Sequence, residues 1–144
     1  MKAKKERQIT GNMGMYFSSY KLSALGFNVM PTARNAKGVD LVVYTPDGKK
    51  YIGVQVKTVT NKWGVPLGKA KSEDIEMADY WVVVVLKGTN GYPDCYVLTP
   101  DEVKAGIYTD KKGGHWLEPK GYAHPEYKER WDLFTQHLPP QPAE

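Results

Sequence analysis

Gly38-Val39-Asp40-Leu41-Val42-Val43-Tyr44 and, after a turn, Lys50-Tyr51-Ile52-Gly53-Val54-Gln55-Val56-Lys57-Thr58-Val59 are the two runs that decide how this chain folds. Both alternate or run apolar in the manner of strands, from Val39 to Tyr44 and from Lys50 to Val59. Thr45-Pro46-Asp47-Gly48 between them has Pro and Gly at turn positions, so the pair is predicted to be a hairpin. Gln55 and Lys57 are two apart and share one sheet face with Tyr51 and Gly53, whereas Ile52, Val54 and Val56 point to the other face and into a core. Asp40 is an acid inside an apolar strand. Neighbouring strands lie about 4.8 Å apart, so Asp40 approaches Gln55 and Lys57 if the register allows it.

Outward from the hairpin, Gly11 to Leu25 has helical periodicity, with Met13, Tyr16, Phe17, Tyr20 and Ala24 as the expected core-facing stripe and Gly26 as the stop. Phe27 to Met30 reads as a short strand ended by Pro31. Beyond the hairpin, Asn61 to Lys71 reads as a loop and Ser72 to Met77 as a short helix capped by Ser72. Tyr80 to Lys87 reads as the most buried strand and Gly88 to Gly91 as a turn. Asp94 to Leu98 reads as a fifth strand. Thr99-Pro100-Asp101-Glu102 is a capping box with Pro at the first helical position, and its helix is expected to end near Gly106. Lys111 to Gly121 is Gly-rich, and Glu126 to Leu138 reads as a final helix. Residues 1–10 are expected to be a loose basic arm, 11–138 a single domain, and 139–144 a Pro-containing tail. The expected fold is α/β, a mixed sheet of about five strands flanked by helices.

The chain has 144 residues, of which 41% are apolar and 25% charged, which excludes collagenous and wholly disordered classes. Its net charge of +4 permits a phosphate-bearing partner without demanding one. Cys95 is the lone cysteine, so an internal disulfide and a cysteine-built zinc site are excluded, and it is expected to be buried and inert. The longest apolar run, Trp81 to Leu86, is too short to span a bilayer, and no apolar stretch of signal type follows the charged N-terminus; a cytoplasmic location is expected.

A carboxylate, an amide and an ammonium brought together suit phosphodiester chemistry. The carboxylate of Asp40 holds a hard divalent cation through oxygen, and the Lys57 ammonium orients water or offsets charge developing on the phosphate. Gly38-Val39-Asp40, a hairpin, and Gln55-Val56-Lys57-Thr58, preceded by a helix and followed by a Val-rich strand, resemble the PD-(D/E)XK nuclease superfamily in its Gln-containing form, which includes restriction-endonuclease-like and Holliday-junction-resolvase-like groups. The resemblance spans roughly Gly11 to Val85. It implies a restriction-endonuclease-like fold, an endonuclease hydrolysing nucleic-acid phosphodiesters with DNA favoured, and a magnesium or manganese cofactor. Asp40, Gln55 and Lys57 would be the catalytic residues, with the metal on Asp40, the Gln55 side-chain oxygen and the Val56 carbonyl. Many such nucleases carry a Glu in the first helix just after a Gly, where this chain has Gly14-Met15. The alternative is therefore a catalytically degenerate module of this fold that binds nucleic acid or a protein partner.

From Gly48 to Ser72 the chain has lysines and no acid. Lys49, Lys62, Trp63, Lys69 and Lys71, with Arg34 and Lys37 in the loop before Asp40, are the expected nucleic-acid contacts, lysine for phosphate and Trp63 for stacking. The Thr58 hydroxyl is a further candidate for a phosphate. His115, His124 and His137 share no ligand spacing and are read as structural. Tyr122, Tyr127, Trp131, Leu133 and Phe134 read as a docking face of the last helices, or equally as the surface of a homodimer.

Overall fold

A computed structural model describes residues 4–33 and 36–140. Helix α1 (Lys4–Ala24) leads into β1 (Asn28–Pro31), then the hairpin β2 (Leu41–Tyr44) and β3 (Tyr51–Val59). Next come β4 (Val65–Gly68), the short helix α2 (Ser72–Ile75), β5 (Tyr80–Val85), β6 (Asp94–Leu98) and α3 (Pro100–Ala105). A second hairpin, β7 (Ile107–Thr109) and β8 (His115–Leu117), precedes α4 (Pro119–Tyr122) and α5 (Asp132–Thr135). The main sheet has the order β1-β2-β3-β5-β6 and is mixed: β3 and β5 are parallel, the other pairs antiparallel. A parallel pair needs a crossover, and here β4 and α2 supply it over one face of the sheet. A small sheet, β4-β8-β7, sits on that same side.

The period-2 alternation of β3 divides the core. Ile52, Val54 and Val56 join Leu22, Leu41, Val43, Val82, Val84 and Phe134 on the α1 face. Trp81, Val83 and Val85 join Val59, Val65, Ile75, Leu117 and Tyr122 on the other. The capping box is present, with Glu102 N–H donating to Thr99 Oγ1 (3.2 Å) and Thr99 N–H to Glu102 Oε1 (2.8 Å). Cys95 is buried, and burial raises its thiol pKa.

Several expectations need correction. Helix α1 begins at Lys4, inside the segment expected to be a loose arm, and of its expected core stripe only Phe17 packs against the core: Met13, Tyr16 and Tyr20 are 52%, 69% and 69% exposed, and Ala24 is exposed as well. The buried face is Gly14, Ser18 and Leu22, because α1 lies too close to β3 for large residues. A Cβ at Gly14 would stand 1.8 Å from Thr58 Oγ1. The Asn61–Lys71 loop contains β4, and the Gly-rich stretch contributes β8; strands this short have no alternation long enough to read. Helix α2 is shorter than expected and its N-cap is Lys71, not Ser72.

The long final helix is broken. Glu129 has φ +53°, its N–H donates to the Cys95 carbonyl (2.7 Å), and Lys128 bridges to Tyr96. The segment thus closes the β6 edge, a use of backbone hydrogen bonds that helix propensity does not signal. Tyr122 and Phe134 are fully buried within the chain, with Tyr127, Trp131 and Leu133 packed beside them, so these aromatics belong to the two cores.

Candidate active site

Asp40 stands immediately before β2, where the Asp40 N–H donates to the Val54 carbonyl (2.8 Å) and Thr32 Oγ1 donates to the Val39 carbonyl (2.7 Å). These bonds direct its side chain across β3. Asp40 Oδ2 accepts from Gln55 Nε2 (2.8 Å) and from the Val56 N–H (2.8 Å). Neither bond uses Oδ1. Gln55 is buried, and Lys57 follows on the same face with its Nζ 5.9 Å from the centre of the Trp81 ring. Trp81 is the parallel-register partner of Gln55 on β5. Its own indole N–H is held by the Ile75 carbonyl (3.0 Å).

These side chains open onto one cleft of about 200 Å³, lined also by Lys37, Gly38, Leu67, Ala70, Asp74 and Ile75. Its electrostatics are uncomfortable for the charges inside it. Burial raises the Asp40 pKa, against the opposing pull of the Val56 N–H and the Lys57 charge. Burial likewise lowers the Lys57 pKa, against the charge of Asp40. Each ionised form is short of compensation and so predisposed to a ligand that supplies it.

The three expected catalytic residues are thus together. The expected nucleic-acid contacts are not one patch. Lys37 lines the cleft and pairs with Asp74 Oδ1 (2.8 Å), whose other oxygen accepts from the Lys71 N–H (2.9 Å). Lys69 and Lys71 are exposed on the turn that leads to α2 beside the cleft. Lys49 lies at one end of β3, whereas Lys62 and the 54%-exposed Trp63 lie past the other. Arg34 lies outside the described residues. Thr58 does not face the cleft; it packs under α1 against Gly14.

Sequence reasoning missed Trp81 and Asp74. Trp81 reaches Lys57 only through the β3–β5 register, a non-local fact, and Asp74 reads from the sequence only as part of the short helix from Ser72 to Met77. The residues lining the cleft include none from α1, and Met15 packs against the core on the opposite sheet face.

No family model and no curated protein matches the chain. Solved structures similar to it include two nucleases. The bacterial homing endonuclease I-Ssp6803I superposes with a TM-score of 0.62 at 19% identity, over 90% of this chain and 93% of that one. The Holliday junction resolvase Hjc of the archaeal hyperthermophile Archaeoglobus fulgidus gives 0.56 at 13% identity, over 78% of this chain and 87% of that one. At such identities the likeness speaks to the fold alone, and the mixed sheet with its flanking helices agrees with it: the chain has a restriction-endonuclease-like fold.

Proposed function

We propose that this protein is a metal-dependent endonuclease that hydrolyses nucleic-acid phosphodiesters, with DNA favoured. One observation carries the reading. Asp40, Gln55 and Lys57 meet at a single cleft, with Asp40 anchored through Oδ2 while Oδ1 stays outside those bonds. The names of the two similar structures, an endonuclease and a resolvase, support it.

The donor set suits magnesium or manganese as a weak site. Asp40 Oδ1 and Gln55 Oε1 are hard oxygen donors, and Val56 adds a third. The N–H and C=O of one strand residue face the same neighbour, so the Val56 carbonyl lies on the side where its N–H meets Asp40. One or two carboxylates, waters and substrate phosphate are a normal magnesium shell. When bound, the ion polarises the phosphoryl oxygen and lowers the pKa of a water. Lys57, half-buried with its Nζ 5.9 Å from the centre of the Trp81 ring, offsets charge on the phosphate. Lys37 at the cleft, with Lys69 and Lys71 beside it, would contact the nucleic-acid backbone at this centre, and Lys49, Lys62 and Trp63 would extend the contact beyond either end of β3.

The test is plasmid nicking with magnesium or manganese. Asp40→Ala and Lys57→Ala should each abolish cleavage while retaining the circular-dichroism spectrum of the native fold. Wild-type-like cleavage by both variants rejects these roles. A second reading is favoured by Met15: it packs in the core, and no three His, Cys, Asp or Glu side chains gather as a metal site among the described residues. On that reading the protein is a degenerate module that binds nucleic acid or a protein partner. Its signature is DNA binding indifferent to metal, without nicking.

A further inference from the structure

The β7–β8 hairpin has no part in the cleft chemistry, yet the strand register carries it to the cleft rim. Gly68, the last residue of β4, pairs with His115, and His115 pairs with Thr109 across the hairpin. Beyond Gly68 the third strand is gone, and residues 110–114 form the turn at the tip of the hairpin, closed by the Asp110 N–H donating to the Gly114 carbonyl (2.8 Å). Leu67 and Ala70, on either side of Gly68, line the cleft, so the register sets the tip at the end of β4 that borders the cleft.

The charge of the tip is one-sided. Asp110 is its acid, and the carboxylate is turned inward: it accepts from the Lys112 N–H (2.9 Å), the Gly114 N–H (2.8 Å) and the Trp116 indole N–H (2.9 Å). Lys111 and Lys112 are exposed. The tip shape is also set in advance. Gly113 takes φ +83°, and a Cβ at Gly114 would stand 2.9 Å from Asp110 Oδ2. A partner therefore meets two ammonium groups on a framework that needs little ordering. Tyr108, paired with Trp116, adds an outward aromatic, 51% exposed, one step behind the tip.

We infer that the β7–β8 hairpin is a second contact for duplex DNA, entering the major groove beside the cleft with Lys111 and Lys112 on the flanking phosphates. The inference rests on the nuclease reading for its partner. A two-stranded ribbon fits the major groove of B-form DNA, whereas the deep, narrow major groove of A-form RNA does not admit it.

Fluorescence anisotropy with the full chain and a labelled DNA duplex, calcium replacing magnesium, tests it across a salt series. Lys111→Ala/Lys112→Ala should make the slope of log K against log salt shallower by about 2, since each lost phosphate contact removes roughly 0.9. With magnesium, the same variant should raise KM several-fold and leave kcat unchanged, because neither lysine touches the reacting phosphate. On an RNA duplex of the same sequence the substitutions should change nothing; an equal loss there overturns the groove assignment. If wild type binds and cleaves DNA but the double variant keeps its slope and KM, the hairpin inference falls and the cleft reading stands. If wild type binds no duplex at any salt, both fall.

Discussion

Of the places where a carboxylate lies near a cation, the cleft and the Glu102–Arg130 pair are treated by folding in opposite ways. In the cleft, burial raises Asp40 beyond what the Val56 N–H and Lys57 offset, and burial lowers Lys57 beyond what Asp40 offsets. Both charges are worse off than in the unfolded chain. Beside β6, burial alone would raise Glu102, but the Arg130 guanidinium and the Thr99 N–H outweigh it, and the Glu102 pKa is lowered. Arg130 grips Glu102 through Nη1 (3.2 Å) and Nη2, and its Nε and Nη2 also donate to the Val97 carbonyl (3.2 and 2.8 Å). The second site is a staple between α3 and the strand-edge segment. The first is a set of charges the fold carries at a cost, as expected where the groups serve chemistry rather than stability.

That contrast breaks most visibly if the cleft charges are removed together. Asp40→Asn/Lys57→Met keeps the shapes, leaves an oxygen to accept from Val56, and discards both desolvated charges. The two charges share the cleft without a direct salt bridge, and removing desolvated opposite charges together is, as for buried ion pairs, often neutral or stabilising by about 1–4 kcal/mol. The expected outcome is a melting temperature equal to or above wild type with cleavage reduced by at least about 10³-fold, the order lost when electrostatic stabilisation goes. A drop in melting temperature would show that these charges help hold the sheet.

The staple should answer oppositely. Arg130→Met leaves Glu102 without its partner and the Val97 carbonyl without its donors. We expect a loss of about 2–4 kcal/mol in urea denaturation, with the folded fraction still cleaving at the wild-type rate. Loss of cleavage without loss of stability would mean that β6 reports to the cleft in a manner this comparison omits.

What the sequence made legible was local. Period 2 along β3 put Gln55 and Lys57 on one face, the Pro-Asp-Gly turn paired β3 with the strand that Asp40 immediately precedes, and the Thr99 capping box needed only four residues. What it hid was set across the chain. The face of α1 turned on how closely a helix approaches a strand; the available signal was the small pair Gly14 and Ser18 leading to Leu22 at i+4 spacing, easily outvoted by three larger side chains that proved to face outward. Trp81 joined the site through a parallel register that no local pattern encodes. The β7–β8 hairpin is held by an Asp110 carboxylate bonded to its own turn, so its residues read as a Gly-rich loop.

The smallest expected effect is also the one that sharpens the comparison, because it turns on sign. Glu102 has a folded pKa below its ordinary value of 4.5. Its contribution is therefore complete above the unfolded pKa and drains away as pH falls through the folded one. Glu102→Gln should cost about 1 kcal/mol near neutrality, and the gap to wild type should close as the pH is taken from 6 down to about 3, below the ordinary carboxylate range. Asp40 runs the other way. Its folded pKa is raised, so its ionised form opposes folding at neutral pH and that opposition is relieved on acidification. In EDTA, any stability advantage of Asp40→Asn/Lys57→Met should narrow over the same descent. Two gaps that shrink toward acid from opposite sides of wild type are what a staple and a working site predict; two gaps of the same sign would make both carboxylates structural.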